Sequence, residues 1–235
     1  MNQHDQFEKF SRMWRTQYCA SGKTIYCREN CGGCCQLAVH ATYPEAVAVA
    51  EALTESLSKR LSGYIERLKT ALPELTDVKS YLKEHRQAIG PCPFLDSRGS
   101  CLIYAIRPLS CRALLSTRPA AWCTVDFAKL DNWDKQAYES GLDHQVVAWP
   151  THYVAATRDF ARTLEKTLLE SMQREQGWSL SGNFAVMVWI EKNNRLGRRN
   201  NATIQQVRDI LAASELNNPL LLNFTDGSQK MSDYP

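Results

Sequence analysis

The sequence has no long hydrophobic run. Its longest apolar stretch, Phe184 to Ile190, contains seven residues, whereas a membrane-spanning helix needs about 20. The 235 residues carry 28 basic and 25 acidic side chains, a formal net charge of +3. This near balance gives no electrostatic reason to expect binding to nucleic acid or to a membrane surface. We therefore expect neither partner.

Several catalytic and nucleotide-binding signatures are also missing. The sequence contains no G-x-G-x-x-G motif and no G-x-x-x-x-G-K-[ST] phosphate loop, which argues against a conventional Rossmann methyltransferase or a nucleotide-dependent enzyme. It has no H-E-x-x-H motif, and its five histidines are too dispersed for a local metal motif. His40, five residues after Cys35, is the best-placed exception. The first ten residues are polar and charged, unlike a secretory signal peptide, so we expect a cytoplasmic protein.

What the sequence has in excess is cysteine. Four of the nine cysteines fall in the run Cys27–Cys35, four more lie between residues 92 and 123, and Cys19 stands apart. A disulfide framework needs an oxidising compartment. Adjacent Cys34 and Cys35 would also be only about 3.8 Å apart at Cα, short of the usual roughly 4.4–6.8 Å. Ordinary buried thiols would not cluster in this way by chance. The placement therefore favours metal ligation, with Cys19 as a free thiol.

The spacing of the first group bears on which metal is bound. Cys27, Cys31 and Cys34 form C-x3-C-x2-C, the pattern that holds a 4Fe–4S cluster in radical S-adenosylmethionine enzymes. Thiolates suit iron–sulfur clusters, zinc or Cu(I), and Gly32 and Gly33 allow a tight turn around an ion. Zinc sites commonly use C-x2-C pairs, of which only Cys31 and Cys34 supply one. The pattern favours a 4Fe–4S cluster, with zinc as the open alternative.

The candidate metal ligands are the eight cysteines of the two groups: Cys27, Cys31, Cys34, Cys35, Cys92, Cys101, Cys111 and Cys123. Eight sulfur ligands exceed the requirement of one four-ligand centre, so two centres, or one centre with additional structural thiols, both stay open. Thiolates carry negative charge that arginines can offset. Arg28 lies inside the first group, and Arg107 and Arg112 bracket Cys111. These three arginines are candidate cofactor-binding residues.

The combined pattern resembles a known family of cysteine-cluster proteins. The matching residues are CRENCGGCC at 27–35, Cys92-Pro93-Phe94-Leu95, Cys101-x-Ile103-Tyr104, and Arg107-Pro108 leading to Cys111-Arg112, with Cys123 as the last cysteine. This set is similar to the zinc- or iron-chelating CxxCxxCC family. A related protein, the flagellin lysine N-methylase, implies 4Fe–4S-dependent methyl transfer to a protein substrate, with S-adenosylmethionine as an optional cofactor. Two hypotheses stay open: a metal-binding protein without turnover, and an iron–sulfur enzyme that modifies a protein side chain.

Hydrophobic periodicity predicts most of the remaining structure. Phe184–Ile190 fits either a buried strand or a core helix, and the tail from Asn223 is polar and expected to fray. The predicted helices are a short one before Cys19, Pro44–Ala71, a helix capped by Thr76 that continues to Ala88, Val125–Ser140, Pro150–Gln176, and one over 202–216 capped by Asn201.

We therefore expect a mainly α protein organised around a cysteine-rich metal centre. The helices between the two cysteine groups should carry the chain away and return it, so that the groups meet. Three parts are predicted: a lead-in over residues 1–26, a metal-binding domain over 27–141 and a helical extension over 142–235 packed on that domain. The oligomeric state is left open.

Overall fold

The computed structural model describes residues 2–198 and 202–227. Within this part of the chain the protein is mainly α-helical, as the sequence predicts, with ten α-helices and one small sheet. The predicted cap at Asn201 and residues 228–235 of the predicted tail lie outside the described residues. The helices are α1 (Gln3–Ala20), α2 (Tyr43–Glu51), α3 (Glu55–Ala71), α4 (Val78–Glu84), α5 (Leu109–Ala113), α6 (Ala121–Thr124), α7 (Asn132–Ser140), α8 (Ala155–Gln176), α9 (Phe184–Asn194) and α10 (Ile204–Ala213).

The helices between the two cysteine groups follow the prediction in outline. The single helix predicted over Pro44–Ala71 is two helices, because the Thr54 hydroxyl accepts a hydrogen bond from the Leu57 N–H at 3.3 Å and starts α3 there. Pro44 lies in the first turn of α2, as expected. The cap of α4 is Asp77 and not Thr76, since its carboxylate accepts from the Ser80 N–H at 2.7 Å. A π-helical turn then extends α4 to Ile89.

The helix α9 lies at the centre of the core. It contains Phe184–Ile190, so the prediction of a core helix for this run is confirmed and the alternative of a buried strand is wrong. The Asn183 side chain caps this helix by accepting a hydrogen bond from the Val186 N–H at 3.1 Å. Val186, Met187 and Val188 are all buried. α9 packs against α2 and α3, so residues from both sides of the predicted boundary at 141 share one hydrophobic core. The boundary itself stays a prediction.

A three-stranded antiparallel sheet flanks this helix, in the order β1–β2–β3. His40 pairs with Asn183 between the first two strands, and Leu180 pairs with Phe224 between the last two. The prediction that the chain frays from residue 223 is therefore wrong for residues 223–226, because they hydrogen-bond to a buried neighbour. The strands are β1 (His40–Thr42), β2 (Trp178–Asn183) and β3 (Leu222–Asp226).

Three predicted helix starts are corrected by local contacts. α7 begins after the Asp131 carboxylate caps the Asp134 N–H at 2.8 Å, seven residues later than predicted. α8 begins only at Ala155, because Tyr153 and Val154 pair with other backbone segments. α10 is capped by Thr203. No helix in residues 2–198 and 202–227 combines the length and the apolar character that crossing a membrane requires.

Candidate metal centre

The first cysteine group lies on a compact loop after α1. The Cys31 N–H donates to the Arg28 carbonyl at 3.3 Å, and the Cys35 N–H donates to the Gly32 carbonyl at 3.0 Å. A 3₁₀ turn over Gly33–Gln36 carries Cys34 and Cys35. These tight turns place several sulfur-bearing side chains within one short stretch of backbone, as the sequence predicts.

The two glycines in this loop are needed for close approach to other segments. A Cβ on Gly33 would lie 2.9 Å from the Cβ of Cys123, and a Cβ on Gly32 would lie 2.6 Å from the carbonyl oxygen of Gly99. Gly32 has an ordinary negative φ of −94°, so its lack of a side chain matters more than its backbone freedom. Both glycines allow the first cysteine group to pack directly against the second.

The second cysteine group is joined to the first by a backbone hydrogen bond. The Cys92 N–H donates to the Cys35 carbonyl at 2.9 Å. Leu95 and Cys101 then form an isolated antiparallel bridge across the turn at residues 96–99. Cys111 lies on the short helix α5 and Cys123 on α6. The helices α2 to α4 thus return the chain to its starting point, as predicted.

Each of the eight candidate cysteines lines at least one of two cavities, and these two cavities share part of their walls. The six-cysteine cavity has a volume of about 50 Å³, and the five-cysteine cavity has a volume of about 150 Å³. The shared sulfur-bearing residues are Cys31, Cys34 and Cys111. The six-cysteine cavity adds Cys35, Cys92 and Cys101, and the five-cysteine cavity adds Cys27 and Cys123. Cys19 is exposed and lines neither cavity.

The sulfur atoms converge without forming a closed coordination shell. Within residues 2–198 and 202–227, no three side chains of His, Cys, Asp or Glu are arranged to hold an ion as they stand. All nine cysteines, each of them in the described part of the chain, carry free sulfur atoms. Cys27 is the best fixed of them, since its sulfur accepts the Ser116 N–H at 3.0 Å. The fold thus supplies the donors in the cavity walls.

Burial favours the protonated form of several of these thiols. It raises the pKa of Cys27 to about 11 and the pKa of Cys92 to about 12. A hydrogen bond that the Cys34 thiol donates to Cys35, together with burial, raises the pKa of Cys34 well above its usual range. Burial does the same for Cys111. A bound cation would reverse this preference, because metal ligation requires the thiolate form.

Of the three candidate arginines, Arg107 has the closest relation to the sulfur atoms. It lines both cavities, and its positive charge lowers the pKa of Cys34 and Cys101 against the effect of burial. Its guanidinium carbon lies 4.0 Å from the ring centre of Tyr104. Its Nε is buried and has no hydrogen-bond partner among the described residues.

The other two arginines play different parts. Arg28 is exposed and lines only the five-cysteine cavity. Arg112 lines the same cavity, but its guanidinium is bonded elsewhere: it donates to the Arg107 carbonyl at 2.8 Å, to the Ala105 carbonyl at 2.6 Å and to the Glu8 carboxylate. Arg112 therefore fixes the segment that carries Arg107.

The residues present fit a thiolate-bound metal. The donor set is rich in sulfur, which suits iron–sulfur clusters and zinc. Arg107 Nε is buried without a hydrogen-bond partner among the described residues, and the buried Tyr153 hydroxyl lies beside the Cys123 sulfur in the wall of the five-cysteine cavity. Buried polar groups are rarely left unpaired in native proteins. Negatively charged thiolates in this cavity would provide the acceptor that Arg107 Nε lacks and a stronger acceptor for the Tyr153 hydroxyl.

Two buried histidines at the site were not predicted. His85 lines the six-cysteine cavity, between the rings of Tyr64 and Tyr81. His152 lies with its Nε2 3.4 Å from the Cys123 sulfur; burial, with Arg118, lowers its pKa to about 4. His40, the best-placed histidine by spacing, lies in β1 and lines neither cysteine cavity. No spacing rule could have found His152, because it follows Cys123 by 29 residues.

Comparison with known proteins agrees with the cysteine pattern. A family model named CxxCxxCC, described as a putative zinc- or iron-chelating domain, matches residues 26–137. The match includes all eight cysteines that line the two cavities. No curated protein and no solved structure was found to match the chain. Residues 26–137 are thus similar to a zinc- or iron-chelating domain, while the relation to flagellin lysine N-methylase stays a prediction.

Proposed function

We propose that the protein binds a metal centre through its clustered cysteine thiolates, and that this centre is a 4Fe–4S cluster, with zinc as the alternative. The observation that carries the proposal is the convergence of eight cysteines on two cavities with a shared wall. Ordinary buried thiols need no such arrangement. The similarity of residues 26–137 to a zinc- or iron-chelating domain supports the same class of function.

Two features support iron and sulfur over zinc. The C-x3-C-x2-C spacing of Cys27, Cys31 and Cys34 is the pattern of a three-cysteine cluster site. Arg107 and Tyr153 place buried N–H and O–H donors in the cavity walls, and hydrogen bonds to sulfur are a usual feature of iron–sulfur sites.

The proposal is tested by purifying the protein without oxygen and measuring its metal and sulfide. We expect a brown protein with a broad visible absorption band and matching amounts of iron and acid-labile sulfide. A colourless protein with stoichiometric zinc would show that the bound metal is zinc instead of an iron–sulfur cluster. It would leave the metal-binding function standing. A protein that contains neither metal, and that takes up neither from solution, would overturn the proposal.

A second candidate function is catalytic, and a third cavity favours it. This aromatic cavity, of about 470 Å³, has Cys123 and six aromatic side chains in its wall. A pocket of this kind beside a metal ligand could hold a substrate group or cofactor. The rings belong to Trp122, Phe127, Tyr138, Trp149, His152 and Tyr153.

In this second function the protein is an iron–sulfur enzyme that modifies a protein side chain, as in lysine N-methylase-type methyl transfer. The cluster would supply redox chemistry, and the aromatic cavity would hold the methyl donor, S-adenosylmethionine, or the substrate side chain. Calorimetry of the iron-loaded protein with S-adenosylmethionine tests this. Binding that Trp122→Ala weakens, with metal content unchanged, supports an enzyme. Absence of binding favours the metal-binding function without turnover.

We also propose a cytoplasmic protein with neither a nucleic-acid partner nor a membrane partner. The near balance of 28 basic and 25 acidic side chains supports the proposal that neither nucleic acid nor a membrane is a partner. Nine free cysteines suit a reducing compartment.

A further inference from the structure

Cys123 and His152 form a close sulfur–nitrogen pair in the wall of the aromatic cavity, and Cys123 also lines the five-cysteine cavity. The Cys123 sulfur lies 3.4 Å from His152 Nε2. Both side chains are buried, with 9% and 4% of their surfaces exposed. In the metal-free protein the thiol can donate a hydrogen bond to this nitrogen.

The separation of these two atoms suits a shared metal ion. Zinc binds thiolate sulfur at about 2.3 Å and imidazole nitrogen at about 2.0–2.1 Å, so two such ligands of one tetrahedral ion lie about 3.6 Å apart. The observed sulfur–nitrogen distance is 3.4 Å. Little movement of either side chain would be needed to bring both atoms to ligand positions.

The other side of the imidazole is fixed in the way that metal-bound histidines usually are. The Tyr138 hydroxyl lies 3.0 Å from His152 Nδ1, and a hydrogen bond at the second ring nitrogen commonly orients a ligating histidine. Tyr138 is itself held between Trp122 and Phe127, at ring distances of 4.9 and 4.6 Å. The backbone carbonyl of His152 accepts from both the N–H and the hydroxyl of Thr117, each at 3.0 Å.

We infer that His152 is a nitrogen ligand of a mononuclear metal ion, through Nε2 and next to Cys123, with Tyr138 as its positioning residue. This inference rests on the proposed metal-binding function, in its zinc form or as a second centre beside a cluster, because each iron of a 4Fe–4S cluster takes one protein ligand. The remaining ligands come from the cysteines of the five-cysteine cavity. A neutral imidazole in place of one thiolate reduces the negative charge that the fold must bury, and so reduces the cost of desolvating the centre. The centre thus has mixed sulfur and nitrogen ligation.

X-ray absorption spectroscopy, recorded at the absorption edge of the bound metal, tests the inference in the wild-type protein. We expect a nitrogen scatterer with the multiple-scattering pattern of imidazole beside the sulfur scatterers. In iron-loaded protein, labelling histidine with ¹⁵N should also change the nitrogen couplings seen by pulsed paramagnetic resonance of the ferric ion. A shell of sulfur ligands alone overturns the inference and leaves the metal-binding function standing. A protein without metal overturns both.

Variants assign the signal to one histidine. His152→Gln should remove the imidazole signal and lower the apparent metal affinity about 10-fold or more, whereas His40→Gln, at the histidine of β1, should change neither. Tyr138→Phe should keep the nitrogen ligand but alter its coupling, since the ring loses its hydrogen bond. Persistence of the full imidazole signal in His152→Gln contradicts the inference. If His152→Gln does not fold, the wild-type spectra and Tyr138→Phe still decide it.

Discussion

The backbone N–H of Cys92 donates a hydrogen bond to the carbonyl of Cys35 at 2.9 Å. This bond fixes the second cysteine group against the first, although 56 residues of intervening chain separate them. Its formation depends on the three helices α2, α3 and α4, which lead away from the first group and back again. The proposed metal centre would therefore be a product of the helical core as well as of the cysteine-rich loops.

Gly33 should be intolerant of a side chain. The Cβ of Gly33→Ala would lie 2.9 Å from the Cβ of Cys123, so α6 must shift away from the first cysteine loop. We expect the free energy of unfolding to fall by about 1–3 kcal/mol and the metal content to fall with it, as measured by denaturant unfolding and metal analysis.

The matched control is Gly63→Ala in α3. Its new Cβ meets only the tip of the flexible Arg67 side chain, at 3.8 Å. Alanine is favoured over glycine inside a helix by about 0.5–1 kcal/mol, so this variant should gain stability and keep its metal. Equal behaviour of the two variants would contradict the packing argument for Gly33.

The charge of Arg107 should matter for metal retention. Arg107→Gln removes the positive charge that favours the thiolates of Cys34 and Cys101. We expect faster loss of metal to a chelator, and a larger effect at low salt than at high salt because the lost interaction is electrostatic. Arg28→Gln, at an exposed position of the same region, should change the rate little. A larger effect at Arg28 than at Arg107 would contradict the assigned roles.

Glu165 should make stability depend on pH. Burial, with Glu45 nearby, raises its pKa from 4.5 to about 8, against the opposing effects of Ser110 and Arg162. When the pKa of a carboxyl group is higher in the folded than in the unfolded chain, the group makes its full contribution to stability at pH values below the unfolded pKa. This contribution is lost as the pH rises towards the folded pKa. The folded protein should therefore lose stability between pH 4.5 and about 8.

Glu165→Gln isolates this effect from other contributions to the pH dependence of stability. The glutamine side chain cannot ionise, so the variant should lose less stability than the wild type between these pH values. Denaturant unfolding at the two ends of the range measures the difference. Parallel stability curves for the two proteins would show that Glu165 is not the group responsible.

The helices could be predicted from the sequence where a buried face repeats over several turns. α3 and α8 show this clearly, since their buried residues recur at helical spacing. The starts of α4, α7 and α10 were misplaced because neighbouring polar residues compete to cap a helix. Only the structure shows that Asp77, Asp131 and Thr203 are the residues that cap these helices.

The sheet could not be predicted from local pattern. β1 has three residues and β3 has five, too few for an alternating pattern to stand out. β2 is buried along its whole length, so its alternation of hydrophobic and polar residues does not separate an inner from an outer face. Each strand exists because distant backbone is placed beside it.

The gathering of the cysteines could be predicted because each group is local in the sequence, but the rest of the site could not. Arg107 and Arg112 looked equivalent around Cys111, yet Arg107 lines both cavities and Arg112 is bonded to Glu8 and to backbone carbonyls. His152 reaches Cys123 only through tertiary packing of the segment after α7. Such contacts have no signature in spacing.

The most direct test of the central claim is to count the thiols that react with an alkylating reagent in freshly isolated protein, first folded and then unfolded in denaturant with a chelator, while the released metal is measured. We predict that only the exposed Cys19 reacts readily in the folded protein, and that unfolding releases bound metal and makes the eight cysteines of the two cavities reactive as free thiols. Unfolding that releases no metal, or recovery of the cysteines as disulfides, would contradict the account.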